Sequence, residues 1–324
     1  MKKFLKIFAV IIVLIVLAFY FLVVPKTVSM ITDYDRHTFE SVTTDSTRLA
    51  SYAIGEKRSP ADYGFPEFEE IDFKTIYDDL NLNGWYIPSS KPEVSKTLII
   101  SHGRTSNRLK AMKYLEIVKD KGLDSLYNVF IPDLRNSGNS DEAKTGMGYE
   151  FAEDITAAMS MLKGSYQQEE FVLWGFSMGA MASATAINRP DLVELQQKEG
   201  LKVTKLILAS PLSNIKETAR VAGADMGIPN FIFNESWKGF EKVIDGWGDN
   251  MKFSYLLSNN KVPTLVLYGN GDATTPSEIL EAEIEGMMHV YPILFKGADH
   301  VQIYTQPEFK ERYATMVSDF LRMN

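Results

Sequence analysis

Hydrophobic positions along this 324-residue chain fall into two regimes. Residues 7–24 are 18 consecutive apolar or aromatic positions, close to the length that crosses a bilayer core. Residues 26 to about 66 are mixed and irregular. A helix can start over 45–53, and Ser59-Pro60 and Phe65-Pro66 break the pattern. The compact domain is expected to begin near Glu69. Residues 71–77 alternate as a half-buried strand does, and 80–87 can pair with them across Asp78-Asp79.

From residue 96 the pattern changes to short apolar runs separated by helical spacings. Strands are predicted at 97–100, 128–131, 171–174, 205–209, 263–268 and 290–295. Helices are predicted at about 109–121, 151–162, 180–186 and 309–321, with Ile155, Met159 and Leu162 on one helical face. Such alternation builds a parallel sheet with helices on both faces. Residues of about 211–261 do not fit it. They carry Trp237, Phe240 and Trp247 and predict short helices near 215–222 and 237–243. An insertion of this length within a compact domain is expected to be a lid.

The stretch from Glu170 to Ala186 joins a buried strand to an Ala-rich helix through Gly175-Phe176-Ser177-Met178-Gly179. A G-x-S-x-G between a strand and a helix reads as a nucleophile elbow, which exposes its serine at the tip of a strained turn. Side chains at the two glycines would collide with the neighbouring elements.

Composition narrows the chemistry. The net charge is −8; setting aside Lys2, Lys3 and Lys6 leaves 31 basic against 42 acidic residues. That acidic surface repels phosphate backbones and argues against nucleic acid as a partner. With no cysteine there can be no disulfide, thiolate metal site or cysteine nucleophile. No cluster has metal-ligand spacing and no Gly-rich phosphate loop occurs, so neither metal nor cofactor is expected. The 18-residue apolar run is longer than a usual signal-peptide core, and only a poor cleavage site lies around 27–29. An uncleaved anchor over 1–25 is therefore favoured over secretion after cleavage. Lys2, Lys3 and Lys6 would stay cytoplasmic and the rest would lie outside.

A serine nucleophile needs a base, and the base needs an orienting group. In open α/β sheets these sit at the carboxyl ends of strands. Gly269-Asn-Gly-Asp272 follows one predicted strand, and Gly297-Ala-Asp-His300 follows the last. The other histidines are placed less well. His37 is in the lead-in, His289 precedes its strand, and His102 lies in an early turn that it more plausibly shapes. Asp299 is the rival to Asp272, but neighbours in a turn seldom face each other.

The order Ser177, Asp272, His300, together with His102-Gly103, the D-x-R-x-x-G-x-S run 133–140, G-F-S-M-G, G-N-G-D and G-A-D-H, resembles the α/β-hydrolase superfamily over roughly residues 70–324. It resembles single-domain bacterial serine esterases, some of them membrane-anchored. Asn136-Ser137 departs from the Gly-His of many relatives. The resemblance implies an α/β-hydrolase fold, with a mostly parallel sheet, helices on both faces and a small helical lid. It implies Ser177 as nucleophile, His300 as base and Asp272 as its orienter, with the backbone N–H groups of Met178 and Arg104 as oxyanion hole. The expected reaction is hydrolysis of a small-molecule or lipid ester with a short or medium acyl group, at a membrane. Amide hydrolysis by the same triad and a non-catalytic binding role are the alternatives. Trp237, Phe240 and Trp247 could line an acyl pocket or pack the lid onto the body. Arg104 and Arg108 could clamp an anion or simply face solvent, and Asp133 with Arg135 is expected to form a structural loop pair.

Overall fold

A computed structural model describes residues 2–323. Eight strands form one sheet in the order β1-β2-β4-β3-β5-β6-β7-β8. They are β1 Glu69–Lys74, β2 Asn81–Ile87, β3 Lys96–Ser101, β4 Asn128–Asp133, β5 Glu170–Phe176, β6 Lys202–Ala209, β7 Thr264–Gly269 and β8 Val290–Phe295. β2 runs antiparallel to both β1 and β4, and the remaining pairs are parallel. The chain leaves β3 towards β4 and then returns to the other side of β3 as β5. That reversal opens a crevice at the carboxyl ends of β3 and β5, where open α/β sheets place their ligands.

The central strands bury both faces, which is why they read as continuous apolar runs; Leu98, Ile99, Phe171 and Trp174 are fully inaccessible. One face is covered by the helices Tyr149–Tyr166 and Met178–Ala186, the other by Pro307–Arg322 and a chain of short turns between residues 108 and 120. Two helices, Pro190–Glu199 and Ser277–Ile284, were not anticipated. Pro190 reads as a stop in sequence, yet it occupies the first turn of the next helix, where its missing N–H is harmless.

Residues 33–68, expected ahead of the compact domain, pack into it. Val42, Tyr52, Tyr63 and Phe65 belong to the core beneath the sheet. The helix Ser46–Tyr52 starts where Asp45 accepts the N–H groups of Thr47 and Arg48.

The N-terminal helix also departs from expectation, because it does not stop at Pro25. Lys2–Ala18 continues through a five-residue π turn, Phe19–Val23, into Val24–Thr32. Proline lacks an N–H and crowds the preceding turn, and the wider π turn before Pro25 accommodates that. The segment Lys3–Thr32 is long and apolar enough to cross a membrane, and its apolar half projects free of the body. Its last turns lie on the insertion between β6 and β7. That insertion holds the helices Ile215–Asp225, Asn230–Glu241 and Phe253–Asn259.

Candidate active site

Ser177 sits between β5 and the helix Met178–Ala186 with φ 54° and ψ −121°, a conformation that residues other than glycine seldom adopt. The turn is held from several sides. Ser177 N–H donates to the Ala209 carbonyl (3.0 Å), and Leu212 N–H donates to the Ser177 carbonyl (3.3 Å). No Cβ fits at the flanking glycines. One on Gly175 would lie 2.2 Å from the Gly179 carbonyl oxygen, and one on Gly179 would lie 2.4 Å from that of His102. Ser177 is the one position from Phe171 to Ala180 that is not buried.

Two loops bring the other candidates to the serine. Gly271 N–H donates to the Ala298 carbonyl (3.1 Å) and Gly297 N–H to Asn270 Oδ1 (2.7 Å), which ties the turn after β7 to the turn after β8. His300 Nε2 lies 3.0 Å from Ser177 Oγ, and His300 Nδ1 lies 2.7 Å from Asp272 Oδ2. Asp272 is buried and accepts the N–H groups of Thr274 and Thr275 and the Thr275 hydroxyl (2.9, 2.8 and 2.7 Å). Burial alone would raise its pKa. The hydrogen bond and charge of His300, with the Thr275 donors, outweigh burial and hold it below the ordinary carboxylate value. Asp299 instead accepts the backbone N–H of His300 at 2.7 Å.

Thr275 and Ser210 are further site residues that sequence reasoning missed. The Ser210 hydroxyl accepts Val301 N–H at 3.0 Å and so steadies the histidine loop. An aspartate followed two and three residues later by threonines is a local turn pattern that could have flagged Thr275. Nothing in the sequence marks Ser210.

Met178 is the first residue of its helix, so its N–H is one of the donors without an intrahelical partner. The N–H of Arg104 has no protein acceptor among the described residues. Both residues line the same cavity as Ser177 and His300. His102 is fully buried and shapes the turn. Its Nδ1–H donates to the Gly103 carbonyl (2.8 Å) while Nε2 accepts Leu134 N–H (3.0 Å). Burial lowers its pKa, and the two bonds fix one neutral tautomer.

The cavity above Ser177 has a volume of about 550 Å³. Trp237, Phe240 and Trp247 are not among its lining residues. Trp237 and Phe240 are buried where the insertion packs on the body, and Trp247 packs against Tyr149 and Tyr255. Of the two readings open to these aromatics, the structure shows the packing one. Within the helix Asn230–Glu241, Trp237 and Phe240 face the body while Phe233 lines the cavity, so the expectation of short or medium acyl groups loses its basis in the three named aromatics.

Neither arginine simply faces solvent, and Arg104 is half-buried at the cavity wall. Arg108 is fully buried between Glu70 and Asp133 (2.7 and 3.4 Å) and stacks on Trp85. Arg104 Nη2 donates to the Met30 carbonyl at 2.8 Å, and its guanidinium covers the Tyr34 ring. Asp133 and Arg135 do not pair with each other. Asp133 turns to Arg108, and Arg135 turns to Asp154 and Glu153 on the opposite face of the sheet (2.7 and 2.9 Å). Among the described residues, no group of three or more acidic or histidine side chains could hold a metal ion.

Residues 96–226 match a family model described as the alpha/beta hydrolase fold. An uncharacterized protein of Bacillus subtilis, YqkD, is 30% identical over 123 residues, which is 37% of this chain and 39% of that protein's length. Among solved structures, an esterase of Pyrococcus furiosus superposes with a TM-score of 0.60 at 24% identity, covering 82% of this chain and 94% of its own. A Thermogutta terrifontis esterase superposes with a TM-score of 0.52 at 20% identity, covering 78% and 98%. Esterase 2 of Thermogutta terrifontis, solved phosphoramylated by tabun, has a TM-score of 0.58 at 13% identity, covering 79% and 94%. In strand order, in the crevice that the order creates and in the match over residues 96–226, the chain is an α/β-hydrolase-fold protein.

Proposed function

We propose that the protein is a membrane-anchored serine hydrolase that cleaves carboxylic esters through an acyl-enzyme. The observation that carries this reading is the single imidazole, His300, within hydrogen-bond distance of both Ser177 Oγ and the buried Asp272 carboxylate. Asp272 accepts Nδ1–H and so leaves Nε2 unprotonated, facing the serine hydroxyl. As Ser177 Oγ bonds to the acyl carbon, its proton passes to Nε2 and the carbonyl electron pair moves onto oxygen. The N–H groups of Met178 and Arg104 then face that oxyanion. Collapse breaks the ester C–O bond and the imidazolium gives its proton to the leaving alkoxide. Water, deprotonated by His300, releases the acid and restores Ser177.

The esterase activity of the solved structural neighbours favours ester over amide cleavage. A neighbour with an organophosphorus adduct favours a phosphonate probe for this chain as well. The retained anchor is supported by the helix itself. The weak cleavage candidate at 27–29 lies inside Val24–Thr32, which packs on the insertion and lines the cavity. With Lys2, Lys3 and Lys6 on the cytoplasmic side, the catalytic body lies outside.

The test is labelling of the full chain in detergent by a fluorophosphonate. Wild type should label, and Ser177→Ala and His300→Ala should each lose essentially all labelling while keeping the wild-type circular-dichroism spectrum. A folded wild type that neither labels nor hydrolyses p-nitrophenyl acetate would overturn the reading.

A further inference from the structure

The N-terminal helix is the anchor, a wall of the cavity and a partner of the oxyanion turn at once. Its aromatic residues Phe19, Tyr20 and Phe21 come just before Pro25-Lys26, where the apolar run ends. Tyrosine at such an exit sits at headgroup level, so Tyr20 marks that level. The insertion helix Asn230–Glu241 runs beside it from that level outward. Phe231 lies 6.2 Å from Phe19 between ring centroids, and Tyr20 Oη donates to Glu235 at 3.1 Å. Gly239 lies so close to Val24 and Val28 that a Cβ there would stand 3.3 and 3.0 Å from them. The insertion thus extends alongside the helix to the level of Phe19 and Tyr20, and at its tip Met226 and Phe231 are 63% and 64% exposed.

Beyond Pro25 the same helix turns Met30 and Ile31 into the cavity, opposite Ala219 and Ala222 of Ile215–Asp225. Two alanines three residues apart leave a groove along that helix face. Met226 belongs to the cavity wall and is exposed as well, so it marks the mouth. The cavity lining extends from Met226 at this mouth to Ser177. Arg104, whose N–H faces the oxyanion, holds the Met30 carbonyl at 2.8 Å and so locks the turn to the end of the anchor helix.

We propose that the substrate is an ester with one long acyl chain, resident in the outer-facing leaflet. It enters sideways from the bilayer, through the groove between the anchor helix and Ile215–Asp225. This rests on the reading of Ser177 as an acyl-accepting nucleophile. A cavity of about 550 Å³ with mostly apolar walls lies within the range that takes a ligand of this size. The chain slides in along apolar wall, and the ester carbonyl reaches Ser177 without its tail crossing water.

The test uses the full chain in nanodiscs of phosphatidylethanolamine and phosphatidylglycerol. Monooleoylglycerol dissolved in the disc and p-nitrophenyl acetate in the water serve as competing probes of the same serine, and the readout is the ratio of their kcat/KM values. Wild type should hydrolyse both. Ala222→Trp, which fills the groove, should lower the oleoyl-to-acetyl ratio at least tenfold. Phe231→Asp, a surface change that does not endanger folding, should lower it severalfold by lifting the mouth from the membrane. A ratio within twofold of wild type in Phe231→Asp and in a folded Ala222→Trp would overturn the proposal. So would a wild type that cleaves the acetate but leaves monooleoylglycerol intact, and that outcome leaves the hydrolase reading standing. A wild type inert to both esters and to fluorophosphonate would remove the hydrolase reading, and this proposal with it.

Discussion

Single residues in this protein are tuned by burial against hydrogen bonding. Asp272 is buried yet stays a carboxylate, because His300 and Thr275 return more than desolvation removes. Lys113, beneath the histidine loop, shows the opposite balance. It is buried, and among the described residues its ammonium has only the Val301 carbonyl at 3.4 Å as a hydrogen-bond partner. Burial, with Lys110 nearby, pushes its pKa down to about 7. The unfolded chain holds this proton up to the ordinary lysine value, whereas the native state sheds it near neutrality. Between those limits stability therefore rises with pH, and at lower pH the native state carries an uncompensated buried charge. Lys113→Met is expected to stabilise the protein at pH 6 by an amount on the order of 3 kcal/mol. The gain should shrink as pH approaches about 10. Urea unfolding at the two pH values checks this, and equal stability of variant and wild type at pH 6 would refute it.

At the scale of elements, the site depends on how closely three pieces of backbone approach. The elbow helix meets the turn after β3 at Gly179, where a methyl group would strike the His102 carbonyl rather than a movable side chain. Gly179→Ala should therefore shift the elbow against the His102-Gly103 turn. The expected loss is about 1–3 kcal/mol of stability together with most of the fluorophosphonate labelling rate. Calorimetry and a labelling time course measure the two; an unchanged labelling rate would show that the turn is not held there. The glycine pattern was legible because close backbone approach restricts residue type. The helix through Pro25 was not, since its continuation depends on a π turn and on packing against Asn230–Glu241.

For the molecule as a whole, the long N-terminal helix divides at about residue 24 into an apolar part that projects from the body and a part that completes the body. Residues 4–22 are almost wholly exposed, whereas Val24 and Thr32 are buried, and Thr145 N–H donates to the Thr32 carbonyl at 3.0 Å. Removal of residues 2–23 should give a water-soluble protein with nearly the wild-type unfolding temperature. Removal through residue 32 should open the cavity, free Arg104 and lower that temperature by several degrees, given about 1–3 kcal/mol of lost burial and hydrogen bonding. Scanning calorimetry of the two truncations decides it. Equal unfolding temperatures would mean that 24–32 is only a tether.

Taken alone, the sequence determined whatever is written in local patterns. The buried strands show as apolar runs because both of their faces are covered, and the elbow shows because strain and crowding demand glycine around Ser177. Asp272 and His300 are marked by their positions just after strands, which the α/β alternation makes readable. Tertiary structure decided what depends on contacts between distant segments. The roles of Trp237, Phe240 and Trp247 turn on which face of one helix meets the body, and periodicity in an isolated insertion does not say that. The partners of Asp133 and Arg135 depend on which side of the sheet each side chain enters. The placing of Met30 and Ile31 above Ser177 required the packing of residues more than 140 positions apart in sequence.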